Sequence, residues 1–414
     1  MGVISSRMGL PSGREVLLLC AVLGFGQAFF YIQDFPLLYR LAKAVLPALA
    51  LLVGIAILLG HLRWGVSYPY AVVLLLAAAG LSLQSALRSA VCFGQPVYWG
   101  LWAQIKLLPV AFYGIVLYGL RRFSISLEEV ARAVSAVGVM TLLVGGFLKF
   151  FANPEWFSAS GAGEGGRLLL YDPIRGYRYN LYLPLLALST LYWAHRWWTA
   201  GGGRYALGVV GGIGTVAFVV QSRSMLFGLL FGLILAGWRY PKWRRLVLMS
   251  LPPVVVLLGG VVVYFEPLEL LSALALRSST AERVLFELGS DPIRWLFGMG
   301  YVNPLWGYTL QDFYGVNFWT SDVGWLGIAF ELGLIGVIAI ALFYVLLGRA
   351  LYRMPEESDA SFVRALQDFF WVTVLLSPLV PAVPLHTGLY ASLLALAMHA
   401  GGGLPCRRPL SGTS

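Results

Sequence analysis

Residues 324–347 read GWLGIAFELGLIGVIAIALFYVLL, an apolar run with one charged side chain, Glu331. A run of that length matches the ~20 residues an α-helix needs to cross the hydrocarbon core of a bilayer. The rest of the chain repeats the pattern. Of 414 residues, 59% are hydrophobic before the 48 glycines are counted, and only 12% are charged, about half the share found in soluble domains. Apolar stretches near 16–32, 44–60, 66–83, 97–119, 130–151, 179–195, 205–221, 224–238, 246–264, 324–347, 365–382 and 387–401 each approach spanning length. The sequence therefore predicts an all-α polytopic membrane protein of about twelve transmembrane helices. Residues 1–414 form a single helical membrane domain in this reading, with no room for a soluble catalytic domain.

Lysine and arginine number 29 against 19 aspartates and glutamates, a net charge of +10. In a membrane chain such an excess records orientation and says little about nucleic acid, which is not expected as a partner. If both termini are cytoplasmic, the short inside segments hold most of the positive charges, among them Arg121, Arg122, Arg239, Arg349, Arg353 and Arg364. The outside segments carry fewer, spread over many more residues, so the positive-inside rule favours this orientation. Arg7 and Arg14 precede the first run without a nearby cleavage site, which predicts a retained first span and no secretion. Cys20, Cys92 and Cys406 lie too far apart in sequence to suggest a disulfide framework or a zinc site.

Two segments on the outside are long, 152–178 and 265–323, the second lying before the tenth helix. Long loops in compact domains are usually functional or disordered. Trp295, Tyr301, Trp306, Tyr308, Phe313 and Trp319 make the second too aromatic for disorder and suit it to interfacial helices resting on lipid or closing a cavity. Chemistry is therefore expected on this face.

Arginine collects there. Arg223, in Gln221-Ser222-Arg223-Ser224, sits between two spans with almost no loop; Arg175 and Arg178 lie in the first loop, and Arg277, Arg283 and Arg294 in the second. Guanidinium pairs bidentately with phosphate and stays charged when partly buried, so an arginine-lined outer cavity suits a membrane-anchored pyrophosphate. The plainer role for each is snorkelling to lipid headgroups. Lys106, deep in its span, needs a partner or a cavity.

Asp322, in Thr320-Ser321-Asp322-Val323-Gly324, opens the tenth span. It suits either a helix N-cap or a general base taking a proton from a sugar hydroxyl. Glu331 lies nine residues on, which in a continuous helix is ~13 Å deeper on the opposite face. It is expected to pack or to hold a buried hydrogen bond apart from Asp322, with Gly333 and Gly336 allowing close approach of a neighbouring helix. His386, between Pro384 and the last span, suits a proton or phosphate contact, or simply a solvated loop. The four histidines are scattered, no metal-ligand pair occurs, and neither a metal nor a cofactor is expected.

The order of these motifs, Ser222-Arg223-Ser224 opening a span, Arg283 with Gly298-Met299-Gly300-Tyr301, then Asp322 ahead of Glu331-Leu332-Gly333-Leu334-Ile335-Gly336, resembles the O-antigen ligase and polymerase superfamily. The similarity is clearest over 220–345. It implies a GT-C-like helical fold and an inverting, metal-independent glycosyltransferase of polysaccharide and lipopolysaccharide biosynthesis in the bacterial inner membrane. The implied donor and acceptor are undecaprenyl-diphosphate-linked glycans, met at the periplasmic face, with membrane lipids and a chain-length regulator protein as partners. Carried over by position, Arg223 and Arg283 look like the arginines that neutralise the departing diphosphate. Asp322 stands where the ligases carry a histidine, which favours a polymerase joining repeat units over a ligase acting on lipid A core. A lipid-linked oligosaccharide transporter is the alternative of another class. It is disfavoured because the candidate residues gather on one face instead of in two repeated halves.

Overall fold

The computed structural model describes residues 70–153, 169–172, 176–179, 181, 183–245, 267–303, 306–316, 318–355, 359–380 and 386–401, with isolated positions at 52, 55, 56, 59, 60, 249 and 384. The expected span at 16–32, most of those at 44–60 and 246–264, and Arg175 lie outside the described residues. Within them the chain is mostly helical. Four helices are long and apolar enough to cross a membrane, or five if one bent pair counts as a single span.

The helices in chain order are α1 (Ala71–Phe93), α2 (Val97–Ala103), α3 (Phe112–Arg122), α4 (Leu127–Phe150), α5 (Leu183–Ala200), α6 (Gly203–Gly214), α7 (Arg223–Trp238), α8 (Pro267–Leu288), α9 (Pro292–Phe297), α10 (Leu310–Tyr314), α11 (Gly324–Tyr352), α12 (Ala360–Leu376) and α13 (Thr387–Ala400). A 3-10 segment, Gln104–Ala111, joins α2 to α3 and contains Pro109, which cannot donate to a helical ladder. A π-helical turn, Thr215–Val220, ends α6, and Gln221 then takes φ 55 before α7 begins. Strands β1 (Leu169–Asp172) and β2 (Gly176–Tyr179) form an antiparallel hairpin with Leu170 opposite Arg178.

Several expected boundaries move. The third span was expected to end near residue 83, but α1 continues to Phe93, so Gln84, Arg88 and Ser89 belong to a helix face. That helix closes with Gly94 in the left-handed conformation. The expected tenth span agrees with α11 at its start, although α11 runs on to Tyr352.

Helix α5 is buried along its length from Pro184 to His195 and forms the centre against which α4, α6, α7 and α12 pack. Glycines set the closest approaches. Gly138 of α4 lies against Ser189 and Trp193 of α5, and Gly228 and Gly232 of α7 lie against Leu376 and Val372 of α12. At one end of the bundle the fully buried Asp368 of α12 accepts Arg239 Nε at 3.0 Å and Nη2 at 2.8 Å, and meets His195 Nε2 at 2.9 Å. This network ties α5, α7 and α12 together. Arg121, Arg122, Arg353 and Arg364 belong to the same basic end, reached by the C-terminus of α3, the C-terminus of α11 and the N-terminus of α12.

The other end carries the long loops. There the C-termini of α1, α4 and α12 meet the N-termini of α5, α7 and α11: Gly300 lies against Ser85 and Ser89, Gly145 against Leu181, and Gly324 against the Pro378 carbonyl. The hairpin packs here too, through Leu169 and Tyr179 on Leu148, Val219 and Val220.

Candidate functional site

The sequence around Asp322 does not simply start a helix. Thr320–Asp322 is a 3-10 turn, Val323 is the N-cap of α11, and no side chain caps that helix. The expected capping role of Asp322 is therefore corrected: its carboxylate is not spent on the first turn of α11. Ser321 Oγ donates to Asp322 Oδ1 at 3.4 Å, the charge of Arg277 on α8 acts on it, and the side chain is half-buried. Burial pushes the Asp322 carboxyl above its ordinary value, and Arg277 and Ser321 partly offset this.

The turn is held from beneath. Because it precedes the helix and folds back, the Thr320 carbonyl lies against Gly327, where only a glycine leaves room for it. Thr320 Oγ1 then donates to Glu331 Oε1 at 2.7 Å, and Glu331 Oε2 receives Lys106 Nζ at 2.6 Å. Glu331 is thus tied to the turn that carries Asp322, through Thr320 and not through Asp322 itself: helical periodicity between 322 and 331 does not apply across Val323, where the chain leaves the helical path. The buried hydrogen bond expected of Glu331 is present, and Glu331 is the partner that Lys106 required.

The Gly298-Met299-Gly300 segment explains why α11 is broken. Gly333 has φ 65 and ψ −172 within α11, and at the break Met299 N donates to Phe330 O at 2.6 Å. Gln84 Nε2 of α1 donates to Leu332 O at 2.8 Å and to Phe297 O at 3.0 Å, taking up a carbonyl beside the break. Arg88 Nε donates to Gly298 O at 2.8 Å. The close approach expected at Gly333 is therefore made by the end of α9 and its loop. These contacts give α1 a role in the site that its hydropathy did not signal. Its only cue was a run of polar residues, Gln84, Ser85, Arg88 and Ser89, spaced along one side of an apolar helix.

A second basic group surrounds Tyr314. Arg283 of α8 lies 4.7 Å from the Tyr314 ring centre and pairs with Glu287 at 2.7 Å. Arg294 of α9 donates to the Glu287 carbonyl at 2.7 Å and meets Asp291 at 3.3 Å. Arg283 Nε and the Tyr314 hydroxyl are both buried without a hydrogen-bond partner, two polar atoms that a bound anion or water would satisfy.

Among the expected site residues, then, Arg277 acts on Asp322 through its charge, and Arg283 and Arg294 share Glu287. Arg223, exposed at the first position of α7, Arg178 on β2 and His386 ahead of α13 belong to the same loop end but to neither of these groups. His386 departs from a solvated loop histidine. Burial pushes its imidazole down to about 4, so it is neutral at neutral pH and brings no charge to a phosphate.

No family model and no curated protein matches the sequence. Among solved structures the chain is similar to one from work on the structural coordination of polymerization and crosslinking by a peptidoglycan synthase complex. The TM-score is 0.46 and the identity 14%, over 80% of this chain and 96% of that one.

Proposed function

We propose that the chain is a membrane glycosyltransferase that polymerises lipid-diphosphate-linked oligosaccharide repeat units, as an O-antigen or related surface-polysaccharide polymerase does. The observation that carries this reading is Asp322 itself: a half-buried carboxylate at the loop end, not engaged in capping, within reach of the Arg277 charge. A base raised in pKa, with a guanidinium charge acting on it, suits a reaction in which a hydroxyl loses a proton while a diphosphate leaves.

In this reaction the acceptor hydroxyl gives its proton to Asp322 and its oxygen attacks the anomeric carbon of the donor. The bond from that carbon to the diphosphate breaks, and the lipid diphosphate departs with the electron pair. A single displacement inverts the anomeric centre. Arg277 and Arg283 lie six residues apart on α8, ~9 Å along the helix and ~120° apart around it, so in this scheme Arg277 serves the reacting end beside Asp322 and Arg283 a more distant part of the substrate. Arg223 and Arg178 line the approach in this scheme. The basic end of the bundle, with Arg121, Arg122, Arg353 and Arg364, is assigned to the cytoplasm and the loop end to the periplasm of a bacterial inner membrane. A partner protein that regulates chain length is compatible with this placement.

The test is to incubate purified, detergent-solubilised protein with undecaprenyl-diphosphate-linked repeat units alone and to resolve the products by size. A ladder is expected, and Asp322→Asn should abolish it. Transfer only when lipid A core is added would assign a ligase, and no bond formation with either acceptor would return the chain to the transporter class.

A further inference from the structure

Beneath the turn that carries Asp322 runs a chain of three side chains from three parts of the fold. Lys106 comes from the 3-10 segment between α2 and α3, Glu331 from α11, and Thr320 from the turn itself. Lys106 and Glu331 are mostly enclosed, with side-chain exposures of 24% and 11%, and Thr320 is buried. Glu331 uses one oxygen for Lys106 and the other for Thr320. Lys106 is fixed in turn, with its ammonium 4.4 Å from the centre of the Tyr301 ring, and Tyr301 O accepts Gln95 Nε2 at 3.1 Å. An ion pair alone would account for the burial of both charges. It would not account for the second carboxylate oxygen being aimed at a hydroxyl two residues from Asp322.

We infer that Thr320 is a positioning residue, and that the Lys106–Glu331 pair holds its hydroxyl so that the 3-10 turn presents Asp322 in one orientation. This inference rests on the reading of Asp322 as the base and adds the device that aims it. Geometry makes the device specific. Gly327 admits the Thr320 carbonyl on one side, Glu331 takes the hydroxyl on the other, and Asp322 N donates to Trp319 O at 3.1 Å to close the turn. Without the hydroxyl contact, the turn keeps its backbone bond but loses its tie to the helix below.

The experiment compares Thr320→Val, which keeps the shape and removes the hydroxyl, with Thr320→Ser, which keeps the hydroxyl, in steady-state extension of undecaprenyl-diphosphate-linked repeat units. Thr320→Val should lower kcat on the order of 10- to 100-fold with KM for the donor little changed, as expected when a reacting group is misaimed by a fraction of an ångström. Thr320→Ser should restore the rate. If Thr320→Val cannot be recovered as monodisperse protein, the paired variant Lys106→Met with Glu331→Leu removes the acceptor of the Thr320 hydroxyl without leaving a buried charge and should lower kcat by a similar factor with KM little changed, a wild-type kcat there overturning the positioning role. A wild-type kcat in Thr320→Val, with Asp322→Asn inactive, overturns the positioning role and leaves the base intact. A ladder made by Asp322→Asn overturns the reading of Asp322 itself, whatever Thr320 does.

Discussion

Lys106 and Glu331, 225 residues apart in the chain, meet at 2.6 Å inside the bundle, where neither could be carried alone. The helix that supplies Glu331 is otherwise apolar through its membrane-spanning length, and the segment that supplies Lys106 is interrupted by Pro109. Each charge is the other's main compensation.

Removing one partner leaves an uncompensated buried charge, which costs on the order of 3–5 kcal/mol, whereas removing both exchanges an ion pair for apolar and neutral polar contacts. Lys106→Met alone and Glu331→Gln alone should each lower the melting temperature of the detergent-solubilised protein well below that of the double variant. Equal losses in all three, or additive losses in the double, would mean that the two side chains do not compensate one another.

The glycines of the 298–300 segment make a separate prediction about the break in α11. Gly300 has φ +88, and a Cβ placed on it would run into the backbone of Ser85 and Ser89 on α1. The backbone conformation alone costs a non-glycine residue about 1–3 kcal/mol, and the collision adds to that. Gly80, on the same helix α1, faces open space. Gly80→Ala should therefore be neutral or stabilising, by up to ~1 kcal/mol from helix propensity, while Gly300→Ala should melt markedly lower. Comparable melting temperatures for the two variants would show that the loop does not cross α1 as closely as described.

How far the sequence disclosed this arrangement depended on which interaction shaped each part. Spans such as 127–150 and 324–352 are legible because hydrocarbon solvent demands long apolar runs of nearly fixed length. The arginines of the long loops, Arg223 and Asp322 stood out because charge is expensive in such a chain. Gln84 and Arg88 did not, since their task is to satisfy backbone carbonyls at a break that exists only when residues 298–300 arrive from more than two hundred residues away. Glu331 was read as remote from Asp322 because helical periodicity was extended across Val323, where the chain is not helical. Periodicity reports the face of an element and cannot report where a turn folds back onto it.

His386 offers a test through pH. Burial places its folded-state value at about 4, below the ordinary 6.5, so between these values the unfolded chain binds the proton more readily. Its contribution to stability is therefore full above about pH 6.5 and is lost as pH falls toward its folded value. The melting temperature of the wild type should drop relative to His386→Gln over that interval. A difference between the two proteins that stays constant from pH 7.5 to about pH 4 would mean that the imidazole titrates as a solvated group.

Asp322 has the opposite sign. Burial raises its value above the ordinary 3.8 and Arg277 draws it back, so the folded protein holds this proton more tightly than the unfolded chain does. Stability from Asp322 is complete below the ordinary value and is lost as pH rises through the folded one, which makes the ionised carboxylate a cost at neutral pH. In the proposed reaction chain extension needs that ionised form, so its rate should climb with pH across the raised value. Arg277→Gln removes the cation that lowers this value and should move the acid limb of the rate profile to higher pH, while Arg277→Lys, which keeps the charge, should leave the limb near its place. Asp322→Asn should melt no lower than the wild type and yet make no ladder. An acid limb that does not move in Arg277→Gln would remove Asp322 as the titrating base, and a lower melting temperature with an intact ladder in Asp322→Asn would give the residue a structural role only.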